Sequence, residues 1–437
     1  MLAGPAPARA RLALELLRAE GWRGLLARAL DRAAEARRER SFRPLRPGEP
    51  APRAAVLNLL PTRPLAELGG VQVQLRERLE QERRQRPVAL LHPARQGFRL
   101  ELQEGPRRAA LALPGDPATA RGWLGALRSA REVTGARLLH VENLAGLPVA
   151  LLRDLAQEPP RLVVSLHDLG AACLRVLLGG APDPACSLAR GGPPCGGCPR
   201  GPGTSVGSEA PDARSAAAAV LARASALVLP SELLRRRLAE VFPALADVEL
   251  LPPARTLPSL PPRAPGTLRH AVFVGSAHPH KGAAVLSALL EARSVPGLRW
   301  SALGGGPPAW QDQLRRRGVA VHGRYRDGSL PARLRSLQAD LVLLLSVWPE
   351  SWGLTLDESW AAGVPALLFD GGAPAERVRA LGGGRVVPLA EGAAGLARAL
   401  LELRGGLPQV PAPERRPDLS PERAARQLGA LYERLLA

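Results

Sequence analysis

Two glutamates and one lysine are the residues best placed to do chemistry. Glu350 and Glu358 stand in S-V-W-P-E-S-W-G-L-T-L-D-E-S-W-A-A-G-V-P, residues 346–365, with seven residues between them. The apolar run 341–345 ahead of them reads as a buried strand. Pro349 ends it, Gly353 loosens the loop, and a helix is expected from about Leu354 to Gly363, with Pro365 just beyond. Glu350 then lies in a loop beside a helix N-terminus, and Glu358 lies on the helix. A helix N-terminus offers unpaired N–H groups and a positive dipole end, which suits a phosphate. A carboxylate beside it accepts hydrogen bonds from hydroxyls. Together they suit a phosphorylated sugar or a sugar nucleotide. The bland alternative is a helix-terminal charge at Glu350 and a solvated face residue at Glu358. Hydrolysis by a carboxylate pair fits less well. Along one helix this spacing spans ~12 Å, beyond the ~5–9.5 Å that glycoside hydrolysis needs.

Lys281 is the single lysine of a chain that otherwise uses arginine. It follows an expected strand ending at Gly275, in G-S-A-H-P-H-K-G. A compact ammonium approaches a diphosphate where a guanidinium fits poorly; the alternative is a surface lysine. Further polar residues fall at expected strand ends, where doubly wound sheets place ligands. H-V-E-N-L carries His140 and Glu142, and S-L-H-D carries His167 and Asp168. These four could orient or deprotonate an acceptor hydroxyl, or simply cap their strands. Gly69-Gly70 and Gly304-Gly305-Gly306 mark tight turns after strands. All four cysteines, Cys173, Cys186, Cys195 and Cys198, share one window, and Cys195-Gly-Gly-Cys198-Pro is shaped like a zinc knuckle. A structural all-thiolate zinc site, reduced thiols and a disulfide all remain open.

The elements that must position these residues follow from patterning. At 437 residues and 46% hydrophobic, two or three domains with sizeable cores are expected. Strand–helix alternation runs through residues 54–255 and resumes after 266, separated by the proline-rich linker 251–266. The net charge of +19 suits anionic partners such as a nucleotide or a phospholipid surface. A nucleic-acid partner is disfavoured. The arginines are spread along the chain, and aromatics at 3% offer few stacking platforms. Residues 10–40 read as helix, either packed on the main body or presenting a basic amphipathic surface to anionic lipid. No run of 18 apolar residues and no signal segment is visible, so the expected location is cytoplasmic, including the inner face of the cell membrane.

P-E-S-W-G-L-T-L-D-E-S-W-A-A-G-V-P resembles the Glu-x7-Glu signature of retaining family-4 glycosyltransferases. With it agree the Gly69-Gly70 loop, the strand-end histidines, Lys281-Gly282 and the turn around Glu376. The resemblance covers about residues 52–410. It implies an α/β chain of the GT-B fold, with two Rossmann-like domains facing across a cleft. Their bounds would be a helical extension at 1–48, an acceptor domain at 49–255, a nucleotide-sugar domain at 266–410, and a C-terminal helix at 411–437 crossing back. By the same resemblance the donor, a UDP- or GDP-sugar, is held by Gly69, Gly70, Gly275, Ser276, Lys281, Gly304, Glu350, Trp352, Gly353, Leu354 and Glu358. The catalytic set is His140, His167, Asp168, Lys281 and Glu350, the acceptor a glycan or lipid-linked molecule, and catalysis requires no metal. Two positions depart from the family pattern: Ser276 stands for an arginine and Glu142 for a histidine. An epimerase of the same fold and a non-catalytic relative are the alternatives.

Overall fold

The computed structural model describes residues 36–45, 49–62, 70–157, 161–173, 210–258, 260–261 and 266–437, with single positions at 26, 29, 30 and 33. The chain divides into two units. One is Arg37–Thr256 with Asp418–Ala437; the other is built on Leu257–Pro417. One division falls inside the proline-rich stretch 251–266 and the other between Pro417 and Asp418.

Among its described residues the first unit holds a nine-stranded sheet in the order β1-β5-β4-β3-β2-β6-β7-β8-β9. The strands are β1 Arg43–Pro44, β2 Val56–Leu59, β3 Val88–Pro93, β4 Phe98–Glu104, β5 Arg107–Leu113, β6 Leu138–Glu142, β7 Arg161–Ser165, β8 Ala226–Leu229 and β9 Val248–Leu250. From β3 through β2 to β9 neighbours run parallel, and their residues are largely apolar because helices cover both faces. At β3-β4-β5 the structure departs from simple alternation. These strands pair antiparallel, closed by a tight turn at Gly105-Pro106, where Gly105 has φ 51°. Residues 43–44, expected in the helical extension, instead form β1 against β5.

Helix α1, Gly70–Gln85, follows β2. The C-terminal helix, Pro421–Leu436, is capped by Ser420, whose hydroxyl accepts from the Arg423 amide. It packs beside α1 and lays Leu428, Leu431 and Tyr432 over Val56, Leu138, Val163 and Val228 of the sheet. Its last turns therefore belong to the core of the first unit.

Among its described residues the second unit has a parallel sheet of six strands in the order β12-β11-β10-β13-β14-β15. They are β10 His270–Val274, β11 Arg299–Leu303, β12 Ala320–Val321, β13 Leu341–Leu344, β14 Ala366–Phe369 and β15 Gly384–Val387. The first strand lies mid-sheet, successors go one way to β12, and the order then reverses from β13. That reversal, between β10 and β13, is the kind of place at which such sheets bind ligands, outside the carboxyl ends of the strands. Apolar clusters on both faces, one around Phe273, Leu343 and Leu367, the other around Val272, Val342 and Leu334, hold the strands rigid beneath it.

Candidate functional site

Lys281 and Glu350 both lie beyond the strands that flank the reversal. The chain leaves β10 through Gly275 and Ser276 and makes a short 3-10 turn, Pro279–Lys281. Gly282 follows with φ 79°, and a Cβ there would stand 2.0 Å from the Leu345 carbonyl oxygen. Only glycine lets the Lys281 turn lie directly on the exit of β13. That contact is stitched further: the Val347 amide and the Ser346 hydroxyl both donate to the His280 carbonyl, at 2.9 and 3.0 Å. On the other side the Ala373 amide donates to the Glu350 carbonyl at 2.8 Å. Two backbones 69 residues apart are thus fixed, and Lys281 Nζ reaches Glu350 Oε1 at 2.6 Å. Burial favours the neutral form of Glu350, but the Lys281 ammonium outweighs it and holds the carboxyl below its ordinary range. His280 is pushed down to about 4, by burial first and then by Lys281 and His278, so it is a neutral imidazole at pH 7.

The loop from Glu350 enters helix α2, Leu354–Ala361, through Gly353 at φ 78°, a left-handed conformation that glycine adopts without strain. Buried ionic chemistry locks this entry. Asp357, in the first turn of α2, accepts from Trp352 Nε1 at 2.9 Å and from Arg377 Nη1 at 3.1 Å, with a second, closer contact from Arg377 Nη2. Arg377 comes from helix α3, Ala373–Leu381, and its guanidinium lies 4.2 Å from the Trp352 ring centroid and 5.2 Å from that of Trp360. The Trp352 side chain is therefore an anchor, and the loop offers its backbone. Glu358 is only 6% exposed, which excludes the solvated-face reading.

Glycines also shape the neighbouring strand end. Gly304 has φ 144°, and a Cβ there would lie 1.8 Å from the Gly275 carbonyl oxygen and 3.3 Å from the Ser276 amide nitrogen. Gly304→Ala should therefore displace the Gly275–Ser276 turn, costing about 1–3 kcal/mol of stability, read as a lowered urea midpoint with unchanged slope.

In the first unit a small cavity opens at the carboxyl ends of β6 to β9. Gln74, Arg78, Glu142, Ser165 and His167 supply its polar wall, and Pro252–Ala254 line another side. Glu142 is the hub. It lies 2.7 Å from Arg78 Nη2 and 3.1 Å from His167 Nε2. Burial alone would raise its carboxyl, but Arg78 foremost, then His140 and His167, hold it well below the ordinary range. Gln74 Nε2 meets His167 Nδ1 at 2.8 Å, so donation there leaves the imidazole proton on Nε2, facing Glu142.

Of the sequence-predicted acceptor-side residues, His167 lines this cavity and two others do not fit their expected role. His140 is fully buried: Nδ1 meets the Tyr432 hydroxyl at 2.5 Å and Nε2 meets Ser165 Oγ at 2.7 Å. It cannot touch an acceptor, because the C-terminal helix seals it in. Asp168 caps the 3-10 turn Leu169–Ala171, its Oδ1 accepting from the Gly170 amide at 2.6 Å, which is the strand-cap alternative. Gly70 is the first residue of α1; Gly69, Cys186, Cys195 and Cys198 lie outside the described residues. Cys173 is buried, and among the described residues no group of three or more His, Cys, Asp or Glu is arranged to hold a metal.

Burial, followed by Arg78, pushes His140 down to about 3 from an ordinary 6.5, with Glu142 opposing. A histidine kept neutral when folded stabilises fully above its unfolded pKa and loses that contribution as pH falls from about 6.5 toward 3. His140→Asn should therefore flatten the decline in unfolding free energy between pH 6.5 and 4.5, followed by urea denaturation. An unchanged slope would contradict the assignment.

Sequence reading did not find Asp357, Arg377, Arg78, Gln74 or Tyr432. The first carried a signal, an acidic residue in the first turn of an expected helix; the rest are paired through tertiary contacts that composition does not reveal.

Residues 269–405 match the family model described as glycosyl transferases group 1. No curated protein matches the chain. Solved structures resemble it along most of its length at low identity. Sucrose-phosphate synthase from Thermosynechococcus elongatus gives a TM-score of 0.61 at 17% identity, covering 88% of this chain and 99% of that one. Alr3699/HepE from Anabaena, in complex with UDP and glucose, gives 0.56 at 14%, covering 87% and 99%. The lipopolysaccharide outer core galactosyltransferase WaaB gives 0.55 at 12%, covering 87% and 99%. The fold is that of GT-B glycosyltransferases, two Rossmann-like α/β units, and the match to the group 1 glycosyltransferase model lies within the second unit.

Proposed function

We propose that this chain transfers a sugar from a nucleotide-sugar donor to a glycan, lipid-linked or other small acceptor, with retention of configuration. The observation that carries the reading is the meeting of Lys281 and Glu350 at the sheet reversal of the second unit. Retaining transfer develops oxocarbenium character on the sugar and negative charge on the departing diphosphate. Lys281, the glycine-lined loop amides and the N-terminus of α2 offset that charge. Glu350 and the buried Glu358 hold donor hydroxyls and so fix the reacting geometry. No metal is needed for this charge balance. His167, oriented by Glu142 and Gln74, is the group we assign to acceptor positioning.

UDP-sugars are the donors to try first, since the similar Alr3699/HepE structure holds UDP and glucose. A thermal-shift screen of UDP- and GDP-sugars tests the reading. One donor should raise the melting temperature by several degrees in the wild type, through binding to the native state, and leave Lys281→Ala unshifted. No shift with any nucleotide sugar would count against it. A surface role at anionic membranes is part of the same proposal and rests on the arginine-rich residues 10–40. Liposome sedimentation with and without residues 1–45 checks it; equal binding ends that part.

A further inference from the structure

We propose that the Lys281–Glu350 ion pair is an exchangeable lock that makes the site discriminate against a bare nucleoside diphosphate, and so favours release of the transfer product. The inference rests on the donor-site reading above and adds to it a selectivity that neither residue has alone.

Without ligand the Lys281 ammonium is already satisfied, by Glu350 Oε1 at 2.6 Å. A diphosphate must take the lysine from the carboxylate. The exchange is confined to side chains. Lys281 is held by its amide donating to the His278 carbonyl at 2.9 Å, and Glu350 by its carbonyl accepting from Ala373 at 2.8 Å. Gly372 lets this second segment close in: a Cβ there would lie 3.0 Å from the Glu350 nitrogen. The two side chains are 36% and 26% exposed, enough to let them part and too buried for water to compensate either one in full.

What replaces the lost partner decides the outcome. A nucleotide sugar brings hydroxyls that donate to the vacated carboxylate. A bare nucleoside diphosphate brings none, and its terminal phosphate carries more negative charge than the sugar diester it came from. It therefore leaves Glu350 without its cation, with the Ser346 hydroxyl as its remaining hydrogen-bond partner, beside an anion, an arrangement that penalises binding. Ser276, at the exit of β10, carries no charge, and His280, next to Lys281, is neutral at pH 7. The lone lysine is shared between an internal carboxylate and the ligand, and only the complete donor compensates both.

The test is isothermal titration of UDP, GDP and ADP, and of their glucose and mannose conjugates, into the full chain. Wild type, Glu350→Gln, and the double variant Lys281→Met with Glu350→Gln are compared at one pH and ionic strength. Glutamine keeps the shape and removes the charge. Glu350→Gln should bind the recognised nucleoside diphosphate at least ~10-fold tighter than wild type, about 1.4 kcal/mol. The matching nucleotide sugar should gain less or weaken, and the double variant should lose the gain. If wild type binds the diphosphate and Glu350→Gln binds it no tighter, the lock is wrong while the donor-site reading stands. A double variant as tight as Glu350→Gln also overturns it, since Lys281 would not be the group released. If no nucleotide binds any of the three proteins, both readings fail together.

Discussion

Lys281→Ala should lower sugar transfer by ~10²–10³-fold or more, while changing the unfolding free energy by about 1 kcal/mol or less. The two magnitudes come from different environments of one side chain. In the resting chain Lys281 makes a partly exposed ion pair with Glu350, and water screens enough of the attraction to keep its net contribution to stability modest. In the transition state the same ammonium faces charge that develops on a leaving diphosphate, where a preorganised cation is worth most. The turn Pro279–Lys281 lies directly on the exit of β13, which fixes the backbone from which the lysine extends. Glu350→Ala should be comparably damaging to transfer, by losing the group that holds donor hydroxyls. Turnover near wild type in either variant, measured by release of labelled sugar onto acceptor or water, would remove the mechanism. A parallel denaturation curve separates loss of chemistry from loss of fold.

The second large effect is on stability. Arg78→Ala should cost about 3–5 kcal/mol, the range for breaking a buried ion pair and leaving its partner uncompensated. Against a total of ~5–15 kcal/mol for a folded domain, that is enough to unfold the first unit at modest temperature. Arg78 is 6% exposed; Glu142 and Glu82 are 1% exposed, and both carboxylates lie within 2.9 Å of its guanidinium. Its Nη2 also donates to Asn58 Oδ1 at 3.0 Å. Removing the arginine takes the nearest cation from two buried carboxylates, leaving Glu142 to His167 and Glu82 to Arg86. Adding Glu142→Ala should then cost less than its own single effect, giving a coupling above about 1 kcal/mol. Strict additivity of the urea-derived free energies would show that the two residues do not act as one unit.

What could be read in the sequence, and what could not, divides along local and distant causes. The strand–loop–helix that bears Glu350 was legible because every determinant sits within twenty-five residues: the apolar run, Pro349, Gly353 in its left-handed conformation, and the glycine and proline that end the helix. Lys281 was legible through contrast with an arginine-only background. His140 is not legible in the sequence because a strand-end position does not guarantee exposure. Its burial is imposed by Tyr432, 292 residues later, and no pattern near residue 140 announces that helix. The β3-β4-β5 meander was missed for a nearer reason. Gly105-Pro106 is a turn signal, but two short apolar runs beside it look alike whether the chain reverses or crosses over. The Asp357–Arg377 pair shows the same limit for charge: neither residue's sequence neighbourhood distinguishes a buried guanidinium from the many exposed ones.

The most direct test of the donor site is acceptor-free hydrolysis. Wild type, Lys281→Ala and Glu350→Ala are incubated with anomerically defined UDP- and GDP-sugars, and the released sugar is followed by proton NMR. The wild type should slowly liberate sugar from at least one donor with its anomeric configuration initially retained, and neither variant should do so. Equal release by all three proteins, or first-formed sugar of inverted configuration, would contradict the account.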